Sequence, residues 1–158
     1  MATLTPYFSS NRTVREYTEK YYLPAAATYL DRAANNSSLG KKIVRWKHEA
    51  DQHWPRLKFG ESTVRTGDHH IFDVQIFLGD IDVQSVAVEL FAGALADGQV
   101  FKAEMKAVGP VEGKEAGWTW FHGETPASRP VGDFTIRIIP GNGDISVPLE
   151  YGRILWQH

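Results

Sequence analysis

The first third of the chain has hydrophobic side chains at the spacing of α-helices. Val14, Tyr17 and Tyr21 recur at intervals of three and four residues, which places them on one side of a helix. The polar residues at positions 9–11 are typical of a helix N-terminus. Pro24 is expected to end or kink this helix, or to begin a new one at its first turn. The spacing therefore predicts a helical segment with one apolar stripe.

A second helix is predicted from Ser37 or Ser38 to about His53, after a run of Asn and Ser that breaks the first pattern. Its apolar residues are three or four positions apart: Leu39, Ile43, Trp46, Ala50 and Trp54. A residue before proline is disfavoured in the α region, so the Trp54–Pro55 pair is expected to end this helix.

From Leu57 onward, hydrophobic and polar residues alternate with period two, which is typical of β-strands. Strands are predicted at residues 70–78, 86–91, 99–105, 118–122, 134–139, 145–149 and 153–156. Short strands separated by glycine-containing turns indicate an antiparallel sandwich with an immunoglobulin- or fibronectin-like topology, although a small barrel fits the same length. The fold class is α+β by content, with a helical segment of residues 1–56 before a β-sandwich domain of residues 57–158.

Composition narrows the classes of function. The 158 residues include no cysteine, which excludes disulfides, thiolate zinc sites and a cysteine nucleophile. A formal net charge of −2 gives no field for a polyanion, so no nucleic acid partner is expected. No apolar stretch approaches the ~20 residues of a membrane span, and no signal peptide is visible. We therefore expect no membrane partner and a cytoplasmic location.

Few residues form a recognisable catalytic or metal-binding motif. Asp80 and Asp82 are two positions apart and resemble half of a calcium site or a glycosidase pair, but a polar turn uses the same residues. His48 and His53 are five positions apart on a predicted helix, roughly 140° around its axis, so they cannot face one metal. We assign no catalytic residue and no metal ligand. A hydrolase that uses Asp80 and Asp82 remains a competing function.

Aromatic residues crowd one predicted strand. Trp118 and Trp120 share a face of that strand, while Phe121 takes the other. If exposed, the two tryptophans could stack on sugar rings, which present flat apolar C–H surfaces. If buried, they fill the core. They are the candidate carbohydrate-binding residues.

The stretch Phe8-Ser9-Ser10-Asn11-Arg12-Thr13 resembles the residues that lead into the final helix of α-glucan (glycogen) phosphorylases. Later segments resemble the carboxyl-terminal region of the bacterial and archaeal branch of that family, in the same order and spacing. These segments are residues 4–17, 22–26, 54–56, 59–61, 147–150 and 154–157. The resemblance covers nearly the whole chain.

The resemblance implies a parent enzyme that uses pyridoxal phosphate (PLP) and splits α-1,4-glucan with phosphate, releasing glucose 1-phosphate. The family's cofactor lysine lies upstream of the region that this chain resembles, so we expect no PLP here and no catalysis by these residues alone. The implied role is a C-terminal accessory domain, packed on the rest of the phosphorylase chain through the Tyr17/Tyr21 helix. Self-association into a homo-oligomer is another use of that helix. The alternative function is a carbohydrate-binding module that stacks α-glucan on Trp118 and Trp120.

Overall fold

The computed structural model describes residues 9–95, 98–141, 143–145, 147 and 149–158. The chain divides into two compact units, one ending at Trp46 and one beginning at Lys47. The domain boundary between residues 56 and 57 stays a prediction. Among the described residues, no helix is both long and apolar enough to cross a membrane.

The N-terminal region is helical, as its spacing predicts. Helix α1 spans Ser10–Tyr17, a π-helical turn spans Thr18–Tyr22, and helix α2 spans Leu23–His53. Ser9 is the N-cap of α1, because its side chain accepts a hydrogen bond from the backbone N–H of Arg12 at 3.3 Å. The predicted helix start is therefore confirmed.

Helix α2 is interrupted within the Asn–Ser run. Residues 34–37 have non-helical backbone angles, and Asn35, Asn36 and Ser37 have φ values of 50–58°. Asparagine tolerates this left-handed conformation better than most residues, because its short polar side chain can form local hydrogen bonds. The break predicted at this run is confirmed, and the helix resumes and continues to His53.

The described residues after α2 include seven antiparallel strands, joined in part by 3₁₀ turns at Val83–Ser85 and Val131–Asp133. The strands are β1 (Lys58–Thr66), β2 (His69–Phe77), β3 (Val86–Ala92), β4 (Phe101–Pro110), β5 (Trp118–Pro126), β6 (Phe134–Pro140) and β7 (Leu155–Trp156). Their order in the sheet is β1-β2-β5-β4-β3-β6-β7, and every pair of neighbours is antiparallel. The predicted antiparallel β domain is confirmed.

One strand joins the two halves of this sheet. The first half of β4 pairs with β3, and its second half, from Lys106 onward, pairs with β5. The sheet curls, because the ring centroids of Phe72 in β2 and Phe134 in β6 are 5.8 Å apart although three strands separate β2 from β6. The described strands thus form one curled sheet, and the immunoglobulin- or fibronectin-like sandwich is not confirmed.

The core lies on the concave side of the curled sheet. Alternate residues of β2, β3 and β6 point into it, because successive side chains of a strand face opposite sides. The most buried side chains are Val74, Ile76, Val88, Leu90 and Ile138. Trp54 and Leu57, which precede β1, complete the cluster.

The strand predicted at residues 145–149 is wrong for the described part of that stretch. Ile145, Val147 and Leu149 lie in bends and turns, while residues 146 and 148 lie outside the described residues. Leu149 is 90% exposed. The apolar residues alternate as in a strand, but the stretch includes Pro148, which has no N–H for a β-ladder.

Candidate functional site

Trp118 and Trp120 lie on the outer face of β5, which points away from the core. Phe77 and Gln75 of β2 lie directly opposite them and share that face, because opposed residues in antiparallel strands point to the same side. Phe121 points to the other side and is buried in the core. Both tryptophans are half-buried, so they belong to the surface of the sheet.

Trp118 is held by neighbours on several sides. Its ring packs on Gly60 of β1, where an added Cβ would lie 2.5 Å from the indole Cζ3. The ring centroid lies 5.4 Å from that of Phe77 and 4.3 Å from the ammonium of Lys114. Lys114 also donates a hydrogen bond to Oε1 of Gln75, which is buried. A sugar that stacked under Lys114 would have to displace this cation from the ring.

Trp120 has more open space beside it. Its neighbour across β4 is Gly109, which has a φ of +154°. A Cβ added at Gly109 would meet no atom within 4 Å. The outer face is therefore open at Gly109, beside the indole of Trp120.

A polar group lies next to Trp120 on the same face. His122 Nδ1 is 2.7 Å from Asp73 Oδ1, and Arg65 donates a hydrogen bond to Asp73 Oδ2 at 3.0 Å. Because Nδ1 is bonded to the carboxylate, Nε2 is the ring nitrogen left for a ligand hydroxyl. The sequence gives no sign of this pair, since His122 and Asp73 are 49 residues apart. The partnership depends on the pairing of β2 with β5.

The carboxylates and histidines considered as catalytic groups do not come together. Asp82 caps the turn Val83–Ser85 by accepting a hydrogen bond from the backbone N–H of Gln84 at 2.9 Å. Asp80 Oδ2 lies 3.9 Å from Arg56 Nη1 in an exposed ion pair. Within the described ranges, no group of three or more His, Asp or Glu side chains could hold a metal ion. The polar-turn interpretation of Asp82 is confirmed.

A buried tyrosine anchors the segment that precedes β7. The hydroxyl of Tyr151 donates a hydrogen bond to Asp51 Oδ1 at 2.9 Å, and Arg153 Nε donates to the same oxygen at 3.0 Å. These bonds lower the pKa of Asp51, the tyrosine hydroxyl contributing most. Burial, followed by the bond to Asp51, raises the pKa of Tyr151 from 10.0 to about 12. Sequence analysis misses this cluster, because Asp51 is 100 residues from Tyr151 and 102 residues from Arg153.

A second exposed surface lies on the N-terminal helices. Tyr17 is 52% exposed and Tyr21 is 60% exposed, and their ring centroids are 5.6 Å apart. Other large apolar side chains of the same unit are also exposed: Val14, Tyr22, Leu23, Tyr29, Leu30 and Val44. We call Val14, Tyr17 and Tyr21 the helical apolar face. A surface of this kind on a soluble protein usually marks an interaction site.

Residues 46–158 match the family model described as the glycogen phosphorylase C-terminal domain. The chain belongs to this family. The match covers the end of α2 and the described strands of the curled sheet.

Full-length relatives extend the similarity to the N-terminal helices. Glycogen phosphorylase from Mycobacterium bovis (strain ATCC BAA-935 / AF2122/97) is 25% identical over 167 aligned residues, and that from Mycobacterium tuberculosis has the same identity. Maltodextrin phosphorylase from Thermococcus litoralis is 22% identical over 162 residues. Each alignment covers 98% of this chain and 19% of the relative. The chain thus spans about a fifth of the length of the relatives it matches.

Proposed function

We propose that this chain is the C-terminal accessory domain of an α-glucan phosphorylase and takes no direct part in the chemistry. The family match over residues 46–158 carries this proposal. The parent reaction is phosphorolysis of α-1,4-glucan to glucose 1-phosphate. The relatives named as glycogen and maltodextrin phosphorylases support this substrate class.

The lysines of the chain do not suit pyridoxal phosphate. An enzyme that holds this cofactor as a Schiff base needs a lysine in a pocket that encloses it. None of the eight lysines is buried. Lys114 is bonded to Gln75, and Lys47 donates a hydrogen bond to the backbone oxygen of Glu150. We therefore propose that PLP binds to the remaining part of the parent enzyme.

The helical apolar face is the proposed contact with the rest of the phosphorylase chain. Tyrosine side chains bury a large apolar area and keep a hydroxyl for hydrogen bonds, which makes them effective at interfaces. The relatives' alignments leave about four-fifths of their length outside this region. That length contains ample protein to cover Tyr17 and Tyr21.

Limited trypsin digestion of the complete phosphorylase tests this contact. Arg15 and Lys20 lie on the same helical stretch as the two tyrosines, so a covered face protects these cleavage sites. We expect Tyr17→Ser combined with Tyr21→Ser to speed cleavage there at least tenfold, because the face detaches. Glu19→Ser is the matched control and leaves the rate unchanged. Cleavage at the same rate in the complete enzyme and in the 158-residue chain would contradict the proposal.

Carbohydrate binding on Trp118 and Trp120 is the second candidate function. The observation that favours it is the open space beside Trp120 at Gly109, with the polar side chain of His122 two residues further along β5. Aromatic rings flanked by hydrogen-bonding groups suit a sugar, which has apolar faces and polar edges. An α-glucan would stack on Trp120 and extend toward Trp118.

Isothermal titration calorimetry with maltoheptaose tests this function. Trp120→Ala is expected to weaken binding at least tenfold with an unchanged unfolding temperature, because the ring is half-buried and outside the core cluster. Trp118→Ala is expected to weaken it less. Trp156→Ala removes a half-buried tryptophan from the other half of the sheet and serves as the control. Equal affinities of the original chain and the Trp120→Ala variant would exclude the site.

A further inference from the structure

The curled sheet has a long free edge at β1. This strand is the first in the sheet order and pairs only with β2 among the described strands. Its outer edge therefore presents backbone N–H and C=O groups that another strand can bind. Residues 61–66 are all exposed, and Val64 is 48% exposed although it points to the same side as the buried Phe72.

The charges along this edge form an antisymmetric pattern around Thr63. Glu61 and Arg65 each lie two residues from Thr63, with opposite sign, and Lys58 and Asp68 each lie five residues from it, again with opposite sign. Two antiparallel copies of the regular stretch Ser62–Thr66, related by a two-fold axis at Thr63, would place residue n opposite residue 126 − n. A register irregularity lies between Phe59 and Ser62. Glu61, which borders the regular stretch, would then lie beside Arg65 of the other copy, whereas Lys58 and Asp68 lie outside the regular stretch.

We propose that β1 pairs with β1 of a second copy of this chain, antiparallel and centred on Thr63. In this register Glu61 faces Arg65 of the other copy, and the two-fold axis repeats the pair. Directly opposed side chains are about 5 Å apart at Cβ, which suits an ion pair. Thr63 faces its own equivalent. The two sheets join into one sheet that continues across the axis.

The alternative registers lack this complementarity. A shift by two residues in one direction places Glu61 opposite Gly67, and a shift in the other direction places it opposite Thr63. Charges on an edge strand ordinarily prevent pairing with another strand. Here the same two charges disfavour other strands and favour a second copy of β1, so they act as a specificity device.

The side chains that flank Thr63 are placed for this contact. Thr63 lies opposite Asp73 and shares the outer face with Arg65. The bond from Arg65 to Asp73 at 3.0 Å orients the guanidinium on this face. Its side chain remains 68% exposed, and a guanidinium has five N–H donors, so Asp73 and Glu61 of the other copy can both be bonded.

The inner side of the strand also gains cover. Val64 borders an open groove of about 360 Å³ whose floor includes Phe72 and Phe134. In the proposed register, Ser62 of the second copy faces Val64, and its strand runs along this side of the groove. A contact of one strand pair is smaller than the ~1,600 Å² of a standard interface. The dimer is therefore expected to be weak and to depend on concentration.

Charge reversal with sedimentation velocity tests the proposal on the 158-residue chain. The original chain is expected to show a monomer–dimer equilibrium. Glu61→Arg and Arg65→Glu, each alone, create two like-charge pairs per dimer and are expected to weaken dimerisation at least tenfold. An equimolar mixture of the two variants restores both attractive pairs. It is expected to form a heterodimer with the affinity of the original chain within about threefold.

The mixture also excludes misfolding as the cause of lost pairing, since two unfolded variants would not recover. Glu115→Arg reverses an exposed charge in the loop between β4 and β5 and is expected to leave the equilibrium unchanged. A chain that stays monomeric up to about 1 mM, or a mixture that stays monomeric, would overturn the proposal. So would a dimer that survives both single reversals but is lost with Tyr17→Ser and Tyr21→Ser, because that result assigns pairing to the helical apolar face.

Discussion

The environment of Tyr151 predicts how the free energy of unfolding depends on pH. Its pKa is raised from 10.0 to about 12 by burial and by the hydrogen bond to Asp51. Between pH 10 and 12 the folded chain keeps this proton while the unfolded chain loses it, so the free energy of unfolding falls as pH rises through this range. We expect Tyr151→Phe to remove this part of the pH dependence in urea unfolding. Tyr29→Phe changes an exposed ring and is expected to leave it unchanged.

Absorbance titration of tyrosinate at high pH gives an independent check. The fraction of the tyrosinate signal that appears at the highest pH in the original chain is expected to be absent in Tyr151→Phe. If the last tyrosine to ionise is still present in that variant, the assigned environment of Tyr151 is wrong.

Trp118 and Trp120 show how much of the candidate site could be predicted from the sequence. The alternation in β5 places Trp118 and Trp120 on one face and Phe121 on the other, and this much follows from period two. The different surroundings of the Trp118 and Trp120 rings do not follow from this alternation. That difference depends on Gly60, Lys114 and Gly109, which reach the tryptophans only through strand pairing across the sheet.

At the scale of elements, the junction between β3 and β6 leaves no space for a side chain. Gly141 follows β6, and an added Cβ would lie 2.6 Å from the backbone carbon of Val86 at the start of β3. A backbone atom cannot move aside as a flexible side chain can. We expect Gly141→Ala to lower the free energy of unfolding by roughly 1–3 kcal/mol, measured by urea denaturation.

Gly67, in the turn between β1 and β2, is the matched control. An added Cβ there meets no atom within 4 Å, so Gly67→Ala is expected to change stability by less than about 0.5 kcal/mol or to raise it slightly. Both variants restrict the unfolded chain equally, and the difference between them isolates the clash. Equal stabilities would contradict the close approach of Gly141 to β3.

The elements also show why the sequence predicts strands better than their arrangement. Regular alternation identifies β2, β3 and β6, whose buried apolar residues occur at every second position. The order of strands depends on long-range pairing. β4 changes partners at Lys106, and no local pattern in residues 101–110 indicates this change. A sandwich and a single curled sheet have the same alternation.

At the scale of the whole molecule, we propose that these residues form one domain of a larger phosphorylase. Similarity along 98% of the chain to 19% of each relative's length is what the domain of a larger enzyme would show. The exposed helical apolar face fits a surface that the larger enzyme covers.

An immunoblot of the native protein in its source cells, with an antibody against the β domain, tests this claim most directly. Because the aligned region is 19% of the relatives' length, we expect a single band with about five times the mass of this chain. All phosphorylase activity would then depend on residues outside these 158. A band at 17.7 kDa would contradict the account, and glucan binding at Trp120 would become the leading function.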